Sequence, residues 1–153
     1  MRSNKAHKIT ELTLTVFRLN GALVDWGDDF SAPEELTSAR WKMLGALALT
    51  TQALTAPQIA TCMGVTRQGA QKQLNLLVES GLVEPRYNPQ HKRSPLYSLT
   101  RQGRKIYSTI NLRWTGHAAK LAAGFTAAEL DTTTKVLQQL AAVYADLGRQ
   151  HET

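Results

Sequence analysis

The chain has 153 residues, 42% of them hydrophobic and 20% charged, with a formal net charge of +6 at pH 7. That length buries a core as one domain or two small subdomains without a disulfide or metal staple, and the composition excludes a disordered polymer. The single cysteine, Cys62, rules out an internal disulfide or a CxxC metal motif; the longest apolar run, Met43 to Leu49, is far short of the roughly 20 residues that span a bilayer; and the N-terminal segment has no signal-like apolar stretch, so no membrane association and a cytoplasmic location are expected.

A first helix is predicted from about Lys8 to Trp26, where Ile9, Leu12, Val16, Leu19 and Leu23 recur at spacings of three and four, a seam that packs helix on helix. The acidic stretch "DWGDDFSAP" should end it, with Asp25, Asp28 and Asp29 in a solvated loop. Helix starts are marked by Ser31-Ala-Pro-Glu34, Thr55-Ala-Pro-Gln58 and Thr126-Ala-Ala-Glu129, each a capping box. Thr100 lacks the Glu or Gln three residues on and is a weaker start. The second helix is thus expected from about Pro33 to Leu49, burying Leu36, Trp41, Leu44 and Leu47 or Ala48. A short helix from Ala56 to Met63 follows, in which Cys62 reads as a small buried hydrophobe rather than a redox sensor.

Gly64-Val65-Thr66 then makes a tight turn into a helix from Arg67 to Ser80, whose buried side is Ala70, Leu74, Leu77 and Val78. After Gly81 the period changes. Leu82 to Tyr87 and Leu96 to Thr100 read as two strands around "NPQHKRSP", and Pro85, Pro89 and Pro95 suit edges and turns. A long helix from Arg101 to about Gly124 and a final one from about Ala127 to Leu147 close the chain, the last with a seam of Leu130, Leu137, Leu140, Tyr144 and Leu147.

The charge excess is localised. Residues 66 to 105 hold eight basic and two acidic residues, whereas the rest of the chain holds ten of each. A basic segment of that kind is the footprint of a surface for phosphates. It coincides with helix, short helix, glycine turn, helix and hairpin, which is the order of a winged helix-turn-helix. The fold class is therefore mostly α with a small β-hairpin wing.

With its apolar side committed to the core, the second helix of that unit exposes Arg67, Gln68, Gln71, Lys72 and Asn75. Arginine can grip guanine and glutamine can grip adenine in the major groove; Thr66, the cap, and Lys72 are better placed for phosphates. Gly69 in the first turn costs roughly 1 kcal/mol against alanine, which suggests a close approach of DNA or another backbone. In the wing, His91 and Lys92 reach over phosphates and Arg93 enters the adjacent minor groove.

These segments resemble the MarR family of bacterial transcription regulators. The resemblance runs over most of the chain and is sharpest from Leu36 to Gly103, through "LTAPQIATCMGVTRQGAQKQLNLLVESGLVEP" and "NPQHKRSPLYSLTRQG". It implies a homodimer on a pseudo-palindromic operator of double-stranded DNA, with residues 1–30 and 102–153 as a helical dimerisation region and 31–101 as the DNA-binding module. It also implies a repressor released by a small aromatic effector, in a pocket for which no residues are named. One departure stands out: where such wings carry an acidic residue two positions before the arginine, this chain has His91. The wing would then be held by other means, the prolines at 89 and 95 among them.

A protein-interaction or adaptor domain that keeps the fold without specific DNA binding is the alternative, since fold does not dictate function. No enzyme is expected: the sequence has no nucleophile-base constellation and no phosphate-cradling glycine loop. No cofactor or metal is expected either, because His7, His91, His117 and His151 are scattered without ligand spacing.

Overall fold

The computed structural model describes residues 4–151, which divide after Asn111 into two units. The chain is mostly helical: α1 (Lys5–Ser31), a 3-10 turn (Ala32–Glu34), α2 (Ser38–Ala48), β1 (Leu54–Thr55), α3 (Ala56–Met63), α4 (Arg67–Glu79), β2 (Val83–Arg86), β3 (Leu96–Leu99), α5 (Arg101–Ala122) and α6 (Ala127–Gln150). The strands form one antiparallel sheet in the order β1-β3-β2.

The entry into the first unit differs from the sequence expectation, and hydrogen bonding gives the reason. The acidic stretch does not end α1, which runs on to Ser31. Ser31, fully buried, donates its hydroxyl proton to the Gly27 carbonyl 2.6 Å away. The Ser31-Ala-Pro-Glu34 signal starts only a single 3-10 turn, closed by Glu35 in the left-handed region at φ 58°. The true start of α2 is capped twice: Thr37 Oγ1 accepts from the Arg40 N–H, and Asp28 Oδ1 accepts from the Ser38 N–H at 2.8 Å. Asp28 is therefore a helical residue that caps the next helix, not part of a solvated loop. Trp26 and Phe30, one turn apart on α1, stack at 4.5 Å, and Trp41 of α2 meets Phe30 at 5.3 Å.

The core gathers around α2, α3 and α4. Met43, Leu44, Ile59, Leu74 and Leu77 are buried almost completely, with Leu36, Leu47, Ala70, Leu82, Val83, Tyr97 and Leu99 around them. These are the apolar positions of the helices at 3.6-residue spacing and of β3 at alternate residues. Cys62 is an exception to the expected set: it is exposed, because Ile59 and Ala60 take the inward positions of α3. Val78 and Trp41 are only half-buried.

Two glycines terminate helices as the turn chemistry requires. Gly64 (φ 65°) follows α3, and the Val65 N–H returns to the Ala60 carbonyl; Gly81 (φ 76°) follows α4, and the Leu82 N–H returns to Leu77. Both are left-handed caps open to glycine at little steric cost. A third glycine acts by size. A Cβ at Gly103 would stand 2.0 Å from the Leu82 carbonyl oxygen, so the first turn of α5 lies directly on the chain leaving α4. Thr100 fastens that junction: its N–H donates to Leu82 O at 3.1 Å, its hydroxyl donates to Gly81 O at 2.7 Å, and its Oγ1 accepts from the Gly103 N–H at 3.0 Å. The start at Thr100, weak by its sequence pattern, is thus well made.

The sheet holds one strand more than the two expected. β1 is only Leu54 and Thr55, paired with Tyr97 and Leu96. Thr55 ends it and at once caps α3 in a reciprocal box with Gln58. Pro85 lies on β2, an edge strand of the sheet, where its missing N–H is tolerated.

In the second unit, from Leu112, the remainder of α5 turns through residues 123–126 into α6, opened by a complete Thr126–Glu129 capping box. The Trp114 and His117 rings meet at 5.8 Å. Leu112, Leu121, Phe125, Leu130, Val143, Tyr144 and Leu147 are exposed, and none of the described residues of α6 is buried.

Candidate nucleic-acid interface

The N-terminus of α4 is set by Thr66, whose Oγ1 accepts from the Gly69 N–H at 3.0 Å. A Cβ at Gly69 would lie 2.9 Å from that capping oxygen, a side-chain atom, with no backbone against it. With Ala70, Leu74 and Leu77 fully buried, the opposite side of the helix exposes Arg67, Gln68, Lys72 and Asn75. No acidic residue lies in the first turn of α4, so the partial positive charge of a helix N-terminus is left available to an anion.

Gln71, on the same side, is half-buried. Its Nε2 donates to the Tyr97 hydroxyl oxygen and to Asn75 Oδ1, each at 2.9 Å. The side chain that sequence pattern singled out for adenine thus has both amide hydrogens engaged within the protein, one of them by a residue of the wing strand.

The wing is braced by a residue that the sequence reading did not single out. Asn88 is only 7% exposed; its Nδ2 donates to the Ser94 carbonyl at 2.9 Å and its Oδ1 accepts from the Gln90 N–H at 3.1 Å. Backbone bonds from His91 N–H to Asn88 O and from Ser94 N–H to His91 O complete the tip. Asparagine suits this place because its short amide mimics a backbone turn. The "NP" pair was a usable signal, yet only the fold shows that the amide reaches across the tip. Among the described residues no ion pair involves Arg93; with His91 in place of an acid, the brace is a neutral amide instead of a carboxylate.

The structure brings part of the expected set together. Arg67, Gln68 and Gln71 from α4 and Arg93 from the wing line one cleft of about 320 Å³, floored by Ala56, Pro57 and Pro95. Thr66, the cap of α4, and Lys72, on that helix, are outside that lining, and His91 and Lys92 are exposed at the wing tip. Of the two acidic residues in the basic segment, Glu84 is engaged by Arg86 at 3.0 Å on β2. The cleft has two guanidinium groups and no carboxylate among its lining residues, which makes it chemically suited to a phosphodiester backbone.

Known proteins are similar to this chain in sequence and in fold. A family model described as the MarR family matches residues 35–94, the stretch from α2 to the wing. An uncharacterised protein of Mycobacterium tuberculosis is 40% identical over 133 residues, covering 87% of this chain and 92% of that protein. A solved MarR family transcription regulator matches with a TM-score of 0.75 at 27% identity, over 96% of this chain and 97% of its own. The chain belongs to the MarR family. It is a transcription regulator with a winged-helix DNA-binding fold, and members of this family are regulators rather than enzymes. A mutant of Escherichia coli MarR, solved in complex with operator DNA, shares the fold at a TM-score of 0.72 and 24% identity, over 90% of this chain and 99% of that one. Among the described residues no helix is long and apolar enough to cross a membrane, and no cluster of three His, Cys, Asp or Glu side chains is placed to hold a metal.

Proposed function

We propose that this chain acts in the cytoplasm as a homodimeric, sequence-specific repressor that binds a pseudo-palindromic operator through α4 and the wing. The observation that carries the reading is the shared cleft: Arg67 and Gln68 of α4 and Arg93 of the wing converge on one carboxylate-free surface, inside the segment that holds the whole charge excess. Arg67 and Gln68 meet base edges in the major groove, Thr66 and Lys72 hold phosphates, His91 and Lys92 pass over the backbone, and Arg93 enters the minor groove.

Dimerisation is supported by apolar side chains left at the surface. On α1, Ile9, Leu14, Val16, Phe17, Leu19 and Leu23 are all exposed, and on α6 so are Leu130, Val143, Tyr144 and Leu147. Monomeric proteins rarely display so much apolar surface along whole helices. Residues 1–30 and 102–153 form the dimerisation region in this reading, and 31–101 the DNA-binding module. A small aromatic effector that releases the operator completes it; thermal-shift screening with and without operator tests that part, since coupling between two ligands is reciprocal.

The test is selection of bound duplexes from random DNA, followed by salt titration. Two half-sites about one helical turn apart are expected, with an affinity that falls steeply as salt rises. Charge reversal at Arg67 or at Arg93 should each abolish most of the selected binding. Binding indifferent to salt, or surviving both reversals, would refute the reading and favour an adaptor that keeps the fold without reading DNA.

A further inference from the structure

Gln71 stands on the exposed side of α4, but its amide is not free to turn. A primary amide has two N–H donors and one acceptor oxygen. Both donors are used: one hydrogen goes to the Tyr97 hydroxyl and one to Asn75 Oδ1, at 2.9 Å each. Tyr97 is itself held firmly, 4% exposed on the central strand and paired on one side with Leu54 and on the other with Pro85. The atom that Gln71 has left for a base edge is Oε1.

We propose, resting on the reading that this module binds DNA, that Tyr97 is a positioning residue that sets base specificity by making Gln71 an acceptor-only reader. In the major groove adenine shows an amino donor beside the N7 acceptor, cytosine shows an amino donor, and guanine and thymine show acceptors. A freely turning glutamine grips adenine with both ends of its amide. Held by Tyr97 and Asn75, Gln71 cannot donate to N7. Its Oε1 accepts equally from the amino group of adenine or of cytosine and faces guanine or thymine acceptor to acceptor. On the strand that Oε1 faces, the base is therefore selected as adenine or cytosine over guanine or thymine, without separating adenine from cytosine. The wing strand thus sets what the recognition helix reads, through one buried hydroxyl.

Selection from random duplexes with wild type, Tyr97→Phe, Gln71→Ala and the double variant tests this. Wild type should enrich adenine and cytosine alike at one position of each half-site. Tyr97→Phe removes the hydroxyl, frees one amide hydrogen for N7, and should raise the adenine-to-cytosine ratio there roughly tenfold, the effect of one added bidentate contact. Gln71→Ala should flatten the same position, and adding Tyr97→Phe to it should change nothing more. If Tyr97→Phe fails to fold, Asn75→Ala frees the other hydrogen from an exposed site and should move the ratio the same way. An unchanged ratio in a variant that still selects an operator overturns this inference and leaves DNA binding standing. Wild type that enriches no sequence overturns the DNA-binding reading and this one with it.

Discussion

Replacing Gly103 with alanine probes the joint on which the DNA-binding module is assembled. The new Cβ would start 2.0 Å from the Leu82 carbonyl oxygen and 3.0 Å from its carbonyl carbon, against backbone rather than a movable side-chain end. Relief requires the first turn of α5 to retreat by about 1 Å, an overpacking strain of about 1–3 kcal/mol. The retreat also loosens the bonds from Thr100 to Leu82 O and to Gly81 O, at about 1 kcal/mol each. Alanine returns about 1 kcal/mol through its better helix propensity. The net loss is therefore about 2–4 kcal/mol, which for a chain of this size lowers Tm by roughly 5–15 °C. Urea unfolding of wild type and Gly103→Ala measures it, at one fixed protein concentration because association linked to folding shifts the midpoint. A variant with an unchanged slope and an equal or higher midpoint would show that the close approach is not a constraint, and the reasoning would fail.

Asn88→Ala should cost about 1–2 kcal/mol locally, since it leaves the Ser94 carbonyl and the Gln90 N–H without their partner; faster amide exchange at residues 90–94 and weaker DNA binding should accompany it. Pro89→Ala should do less, and equal effects of the two would return the brace to the prolines. At the start of α6, the Thr126 backbone N–H, donating to Glu129 Oε2 at 2.8 Å, and then the Thr126 hydroxyl hold the Glu129 carboxyl below its ordinary value. A lowered carboxylate pKa contributes stability above the unfolded value and loses it as pH falls through the folded one. Protection of the first turn of α6 should accordingly drop below about pH 4, and Glu129→Gln should remove that dependence; the same profile in both proteins would contradict the capping account.

Much of the fold was legible because local rules and tertiary packing agree in the central module. The Thr55 and Thr126 boxes, the glycines at 64 and 81, and the inward side of α4 at Ala70, Leu74 and Leu77 all follow from capping, left-handed turns and helical period. Where they disagreed, a distant partner decided. The Ser31 box lost to the Asp28 cap on Ser38, because a carboxylate from the preceding helix satisfies an open helix end better than a local pattern predicts. β1 escaped notice because two residues carry no period; only pairing with β3 makes them a strand.

The candidate site divides along the same line. Residue type and spacing determined which side chains α4 and the wing present, since a helix with one buried side must turn the other outward, and a forty-residue stretch with so few acids must form a basic surface. Tertiary structure alone decided what those side chains are free to do. Asn88 became the brace of the wing because its amide spans the tip to Ser94, and one amide hydrogen of Gln71 is taken because β3 places the Tyr97 hydroxyl 2.9 Å from it, 26 residues away in sequence, while Asn75, one helical turn on, takes the other. Hydrogen bonds of that reach leave no periodicity behind, so chain order names the donors and acceptors and the fold assigns their partners.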